Sequence, residues 1–263
     1  MITFLPVVER ELRIAARRDW TYWTRIGAAG AAFVVAVFMV LFWMMADTGG
    51  MGLFTTLSFF GLIICLVDGI RTTADCLSEE KREGTLGLLF LTDLSGIDVV
   101  LGKFASSALR SFYGLLATFP VLSLTLMMGG VTPGEFWAMV LALTAILFLS
   151  QSVAMWVSSV SWHERRAVTA TIATLAALVI VPLIPSWIGL ITQYPGLWRV
   201  DLLSPSRLYV SAFGGGLTSP LFLKALIANL LVAWLFLALA CWSVRRNWQS
   251  KPDGSRLSRS RQS

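Results

Sequence analysis

Residues 75–103 read DCLSEEKREGTLGLLFLTDLSGIDVVLGK, a charged and amphipathic stretch between two segments that are apolar enough to cross a membrane. Ser78 is placed to cap a helix, and two glutamates follow it in the first turn, where negative charge favours the helix dipole. Apolar residues then recur at helical spacing until residues 93–96 break the pattern. Ser95 and Asp98 give a second capping signal, which predicts a helix running into the next apolar segment. We therefore predict a hinge of two short helices along the membrane surface.

The first of these two helices carries two kinds of side chain. Its carboxylates are predicted to face water, and its apolar side chains are predicted to face a partner or the bundle. The carboxylates are Glu79, Glu80 and Glu83, and the apolar stripe contains Leu86, Leu89 and Phe90. This combination favours a docking surface. The alternative is an ordinary solvated loop between two spans.

The composition of the chain points to a lipid bilayer. It has 263 residues, of which 56% are hydrophobic and 14% are charged, and a mean hydropathy of +0.74. These values are too apolar for an ordinary soluble domain. The net charge of +6 comes from short basic clusters beside apolar segments, a pattern typical of membrane orientation, so no nucleic-acid partner is expected.

Six segments approach the roughly 20 apolar residues that a membrane-spanning helix needs. They are residues 26–45, 52–70, 104–128, 136–157, 167–184 and 221–244. The fifth contains Pro182 and Pro185 near its end, so it is expected to kink and continue or to stop there. The fold class is therefore an all-α, polytopic membrane protein with six transmembrane helices.

The remaining segments complete a single transmembrane domain over residues 1–246. Residues 1–25 are predicted to include an amphipathic helix that lies in the membrane interface. Residues 185–220 mix aromatic residues with Pro and Gly, which fits short helices in or re-entering the outer interface. Residues 247–263 alternate Arg and Ser and are predicted to be a disordered basic tail.

The positions of Lys and Arg predict the orientation of the chain. Eighteen of the 21 basic residues flank the ends of spans on the side of both termini and of residues 75–103. Only Arg199, Arg207 and Lys224 fall on the other side. The positive-inside rule predicts that both termini and residues 75–103 lie in the cytoplasm. The membrane is predicted to be the cytoplasmic (inner) membrane.

The sequence offers no constellation for catalysis, cofactor binding or metal binding. Residues 96–103, GIDVVLGK, have five residues between Gly and Gly-Lys where a phosphate-binding loop needs four, and Phe104 follows in place of Ser or Thr. If transport uses ATP, another chain must bind the nucleotide. His163 has no partners for a metal site or a hydrolase triad, so it is interpreted as an interfacial polar residue.

Charged and polar side chains inside the spans have two interpretations. Asp68 and Arg110 are predicted to form an intramembrane ion pair that braces the second and third spans; alternatively, each reaches water on its own. The polar residues in the spans are predicted to make mainly interhelical hydrogen bonds, with lining a transport path as the alternative. They are Thr55, Thr56, Ser58, Ser150, Gln151, Ser152, Thr169, Thr171, Thr174 and Asn229.

Residues 75–103 also carry a spaced set of small, polar and apolar residues. The set is Glu80, Gly84, Thr85, Leu89, Leu91, Thr92, Leu94, Ser95, Gly102 and Lys103. This pattern resembles the cytoplasmic coupling segment of the permease subunits of type-2 ABC exporters. In that family the segment links the second and third membrane helices and presses against a separate ATP-binding subunit. Asp93 stands where family members often carry proline, so the turn there differs.

The resemblance implies an exporter permease without its own ATPase activity or cofactor. It implies two permease subunits, identical or paired with a relative, with two ATP-binding subunits beneath them. The residues expected to contact the ATP-binding subunit are Glu79, Glu80, Glu83, Gly84, Thr85, Leu86, Leu89 and Phe90. An alternative is a non-transporting membrane scaffold, or a component of a gliding or secretion complex, with the same architecture. A membrane-embedded enzyme is disfavoured, because no His, Asp or Glu cluster has catalytic spacing inside the spans.

Overall fold

The computed structural model of the chain describes residue 37 and residues 49–73, 96–161, 163–184 and 200–247. Every regular element in this part is a helix, which confirms the all-α fold class. The α-helices are α1 (Gly49–Thr73), α2 (Gly96–Leu116), α3 (Phe119–Met128), α4 (Pro133–Val160), α5 (Glu164–Ile180), α6 (Pro205–Ser211) and α7 (Pro220–Asn247), with 3-10 helices at Val200–Leu203 and Gly216–Thr218.

Four of the six predicted spans are confirmed as helical stretches of membrane length. They are Gly50–Thr73, Val100–Met128, Pro133–Val160 and Pro220–Val244. The first predicted span, residues 26–45, lies outside the described residues except for the helical residue 37. The predicted interfacial helix in residues 1–25 also lies outside them. At the other end of the chain, α7 includes Asn247, the first residue of the predicted tail, and the rest of that tail is not described.

The predicted third span is broken into α2 and α3. The chain turns at residues 117–118, where the Thr118 amide bonds to the Leu115 carbonyl at 2.9 Å. Pro120 follows in the first turn of α3. Proline has no amide hydrogen, and its ring clashes with the carbonyl four residues earlier, so a straight helix cannot pass through this position. The two helices together still have the length of one crossing.

The predicted fifth span forms the shorter helix α5, which ends at Ile180. Its 17 residues are at the lower limit for crossing a bilayer. The chain leaves the helix through a turn at Val181 and Pro182, which agrees with a break near the proline. The continuation from residue 185 lies outside the described residues.

Helix α4 forms the centre of the described bundle. In its most apolar 18-residue window 83% of the residues are buried, compared with at most 39% in the other three membrane-length stretches. It packs against α1, α2, α5 and α7. Its first turn is fixed by a capping box, in which the Thr132 hydroxyl accepts from the Glu135 amide and the Glu135 carboxylate accepts from the Thr132 amide.

Short helices close the end of the bundle where α4 begins. They lie in residues 200–218, within the stretch predicted to form short helices in or re-entering the outer interface, and that position in the interface stays a prediction. The Ser204 hydroxyl donates to the Val179 carbonyl at 3.1 Å. The Asn229 side-chain amide donates to the Leu202 carbonyl at the same distance. These bonds tie residues 200–204 to the end of α5 and to α7. The segment is therefore part of the packed bundle.

Candidate coupling site

The helices that flank residues 74–95 meet at one end of the bundle. Helix α1 ends at Thr73 and α2 begins at Gly96. The Thr73 hydroxyl donates to the Ser107 hydroxyl at 3.5 Å, and both residues are buried. We call this end of the bundle the coupling end and the opposite end, where α4 begins, the far end. A force applied to residues 74–95 therefore reaches two helices that already touch.

The first turns of α2 are built into the core at the coupling end. Val100 and Phe104 lie in one buried cluster with Met155 of α4 and with Leu237 and Val244 of α7. This packing follows from the apolar residues that α2 places on one face, at a spacing of four. Since interiors are close-packed, α2 cannot shift without moving α4, α7 or both.

An aromatic contact strengthens the connection between α2 and α4. The Phe104 and Phe148 rings meet edge to face, with their centroids 5.4 Å apart. Such pairs contribute about 0.5–1.5 kcal/mol beyond the area that they bury. The contact lies eight residues, or roughly 12 Å of helix, beyond the start of α2.

The end of α1 is joined to α4 by a close helix crossing. The Ser150 hydroxyl donates to the Leu66 carbonyl at 2.9 Å. A Cβ atom placed on Gly69 would lie 2.7 Å from the Ser150 carbonyl carbon and 2.9 Å from the Gln151 nitrogen. Only glycine allows the two backbones to approach this closely, as small residues do at many membrane helix crossings.

One comparison assigns this arrangement to a family. A family model described as "ABC-2 family transporter protein" matches residues 48–245, about three quarters of the chain. The chain belongs to the ABC-2 transporter family. The match includes all four helical stretches of membrane length and both helices that flank residues 74–95. A search of curated proteins finds no significant match. The predicted resemblance to an ABC-2 type permease is thereby confirmed.

The ABC-2 permease carries its expected ATPase contacts in residues that the structure does not describe. All eight lie between residues 74 and 95: Glu79, Glu80, Glu83, Gly84, Thr85, Leu86, Leu89 and Phe90. Their contact with a partner therefore stays a prediction. Only residues 96–103 of the segment are described, and α2 begins at Gly96, which confirms the helix predicted to run from this point into the next span.

Asp68 and Arg110 occupy facing helices near the coupling end of the permease. Asp68 lies one residue before the crossing at Gly69, and Arg110 lies one turn of α2 beyond Ser107. Asp68 Oδ2 and Arg110 Nε are buried atoms without a hydrogen-bond partner, and the described residues contain no direct ion pair between them. Two half-buried residues of opposite charge, each with one buried atom that has no hydrogen-bond partner, favour a shared role. Their predicted energetic coupling stays a prediction.

The polar side chains in the spans bond mainly to their own helices, so the expectation of mainly interhelical bonds is wrong. The hydroxyls of Thr55, Ser152, Thr171 and Thr174 donate to carbonyls four residues earlier. In a helix this carbonyl is the nearest acceptor, and Ser and Thr side chains reach it without a partner helix. Three residues do make contacts between elements, namely Ser58, Ser150 and Asn229.

A tyrosine at the far end holds the short helix α6 on α1. The Tyr209 phenol donates to the Thr55 carbonyl at 3.2 Å, and its oxygen lies 2.9 Å from the Ser58 hydroxyl oxygen. The Phe213 ring packs edge to face against both Tyr209 and Phe54. Burial raises the pKa of the Tyr209 phenol, and the Ser58 hydrogen bond opposes this in part. The phenol therefore stays protonated, and its O–H group remains available to donate to the Thr55 carbonyl. Nothing in the sequence pattern linked residues 55 and 209.

Proposed function

We propose that this permease is the membrane subunit of an ATP-driven exporter and that a separate ATP-binding subunit docks on residues 75–103. Nucleotide-driven closure of the ATP-binding subunits would push on this segment. Helices α1 and α2 would pass the movement into the bundle. The family match supports the assignment as a transporter subunit, and the lack of a phosphate-binding loop in the sequence supports a partner ATPase.

The packing of α2 is the observation that best supports this proposal. The helix starts at Gly96, inside the proposed docking segment, and two turns later it is buried among side chains of α4 and α7. A helix is stiff along its axis, so a push on its first turn reaches Phe104 with little loss.

The second path runs through α1. Its last turn bonds to α2 through Thr73, and its backbone touches α4 at Gly69. Both flanking helices therefore converge on the central helix. We propose that α4 is the element whose position the ATP-binding subunits control.

The exposed faces of the bundle fit a bilayer and a second permease subunit. Helix α1 exposes Phe59, Ile63 and Val67, and α7 exposes Leu231 and Trp234. Apolar patches of this kind mark surfaces covered by lipid or protein. With the basic residues placed by the positive-inside rule, the coupling end and both termini face the cytoplasm.

The experiment that tests the proposal compares substitutions in the docking segment with one at the far end. We expect reversal of Glu79, Glu80 and Glu83 to Lys, or Gly84→Trp, to uncouple ATP hydrolysis from transport. The matched control is Lys224→Glu, which also reverses an exposed charge but lies in the first turns of α7 at the far end. It should leave coupling unchanged.

The measurement is substrate transport per ATP hydrolysed, in vesicles that contain the permease and its ATPase. Insertion of each variant is checked by its yield in the membrane fraction. Normal transport by all docking variants would count against the docking role. Failure of any ATPase to bind the wild-type chain would favour the membrane-scaffold alternative.

A further inference from the structure

The third span, made of α2 and α3, is anchored to different parts of the bundle at its two ends. At the coupling end, α2 lies in the buried cluster that it shares with α4 and α7. At the far end, α3 lies against the first turn of α1. A Cβ atom on Gly50 would be 2.9 Å from the Thr125 carbonyl oxygen and closer still to the Gly129 carbonyl oxygen. Backbones in such close contact leave little freedom for relative movement.

The middle of this span is loosely packed. We call residues 112–121 the mid-span segment. The structure describes every residue of this segment, and Leu115 is the only buried one, whereas Ser111 before it and Leu122 after it are both buried. A Cβ atom added to Gly114 would meet no atom within 4 Å. Stretches with few buried contacts open or bend at the lowest free-energy cost in a fold.

The hydrogen bonds of the mid-span segment are also irregular. The Ala117 amide nitrogen is 3.3 Å from the carbonyl oxygen four residues earlier, and the Thr118 amide bonds to the Leu115 carbonyl, only three residues earlier. The Thr118 hydroxyl donates to the same carbonyl at 2.7 Å. Pro120 has no amide hydrogen, so the Leu116 carbonyl loses the donor that a regular helix provides at this position. A bend here therefore breaks fewer helical hydrogen bonds than a bend elsewhere in the span.

We propose that the mid-span segment is a hinge about which α2 swings together with the coupling-end cluster, while α3 stays fixed to α1. A continuous helix would carry any movement of the coupling end directly to the contacts at Gly50. The hinge instead lets the coupling end move while the far end keeps its packing. The hinge is a property of the permease alone, and only its use in transport rests on the proposed function.

The size of the movement follows from the length of α2. Leu109 lies nine residues before Thr118, which is about 13 Å along the helix. A swing of about 20°, the smallest bend counted as a sharp proline kink, would displace Leu109 by about 4–5 Å. Leu124 of α3 should keep its position. Both residues are exposed, so they can report on the two sides of the hinge.

Double electron–electron resonance on the full chain in lipid nanodiscs tests the hinge. Spin labels are attached through an unnatural amino acid at Leu109 or Leu124, and at a reference position, so that the native cysteines stay in place. The reference is Ile64 of α1 or Ile227 of α7, both exposed and close in sequence to residues of the buried cluster near the far end. References on two helices detect swings in different directions. Labelled chains are diluted with unlabelled chains so that each assembly carries one labelled pair.

In the wild type, we expect the distance distribution of Leu109 to be about 2–5 Å wider than that of Leu124 for at least one reference, because part of the displacement lies along the line between the labels. Pro120→Leu supplies an amide for the Leu116 carbonyl, so this excess width should disappear. The matched control is Pro133→Leu. Pro133 is the first residue of α4, where the missing amide costs no helical hydrogen bond, so the excess width should remain.

Equal widths for Leu109 and Leu124 in the wild type would identify a rigid kink and overturn the proposal. An excess width that survives Pro120→Leu would also overturn it, because the proline would then not create the hinge. Unchanged Leu124 distances in Pro120→Leu show that this variant folds. The measurement needs no ATPase, so a failure of docking at residues 75–103 leaves its result unaffected.

Discussion

Replacing Gly69 by alanine would force α1 and α4 apart where they cross. The added Cβ would lie 2.7 Å from the Ser150 carbonyl carbon, whereas ordinary contacts begin near 3.4 Å, so the helices must separate by about 0.7 Å. The nearest obstructing atom is the Ser150 hydroxyl oxygen, which can rotate away, but the Ser150 carbonyl carbon and the Gln151 nitrogen belong to the α4 backbone and cannot. The Ser150 to Leu66 hydrogen bond, now 2.9 Å, would stretch beyond a useful length.

The magnitude follows from three contributions. Overpacking of this kind costs about 1–3 kcal/mol. Loss of a hydrogen bond between membrane helices costs about 0.6 kcal/mol on average. Alanine recovers about 1 kcal/mol, because glycine is the poorer helix former. We therefore expect Gly69→Ala to lower the free energy of unfolding by about 1–3 kcal/mol.

Two other glycines of the bundle provide matched controls. At Gly114 of α2 an added Cβ meets no atom within 4 Å, so Gly114→Ala should show only the helix-propensity gain. At Gly61 the nearest atom is Leu143 Cδ1 at 3.2 Å, the end of a flexible side chain that can move. We expect the order of stability to be Gly114→Ala, then Gly61→Ala, then Gly69→Ala.

The assay is thermal unfolding of the purified proteins in one detergent. With about 2–4 °C per kcal/mol for a protein near this size, Gly69→Ala should melt about 2–12 °C below the wild type. Gly114→Ala should melt at or slightly above it. A Gly69→Ala protein as stable as Gly114→Ala would refute the close crossing of α1 and α4.

Three further perturbations test separate parts of the bundle. Tyr209→Phe removes the donor to α1 and should cost about 1 kcal/mol. Burial raises the pKa of this phenol above its ordinary value of about 10, so its contribution to stability is present below that pH and is lost above it. Melting temperatures between about pH 8 and about pH 11 should therefore fall more steeply for the wild type than for Tyr209→Phe; equal slopes would contradict the buried phenol. A double-mutant cycle with Asp68→Asn and Arg110→Gln should give a coupling energy of about 1 kcal/mol or more, and additive effects would exclude the predicted pair. Phe104→Ala should lower transport per ATP hydrolysed, whereas Tyr113→Ala, exposed on the same helix, should not; equal effects would argue against transmission through Phe104.

The sequence predicted the membrane-length helices well because their signal is local. A run of twenty apolar residues in a bilayer satisfies its backbone hydrogen bonds most simply as a helix. The predicted segments 52–70, 136–157 and 221–244 each lie inside an observed helix. The break between α2 and α3 was visible as Pro120, yet the unbroken apolar run outweighed it. The apolar content of a segment indicates whether a span is long enough to cross the bilayer, but it does not indicate whether the helix is straight.

The site was harder to predict because its contacts join distant parts of the chain. Tyr209 and Ser58 are separated by 151 residues, and no periodic pattern connects them. The role of Gly69 depends on which helix crosses it, and a glycine in a span carries no such information. For Thr55 and Ser152 the local acceptor was available from the start, so the preference for interhelical bonds was an avoidable error.

The most direct test of the central proposal places a photo-cross-linking amino acid at Leu86, in the docking segment, and separately at Leu217, exposed at the far end. Both variants are irradiated in intact cells, and the cross-linked partners are identified by mass spectrometry. We expect the Leu86 variant to capture an ATP-binding subunit and the Leu217 variant to capture none. Absence of an ATPase at Leu86, or capture of the same one at Leu217, would contradict docking at residues 75–103.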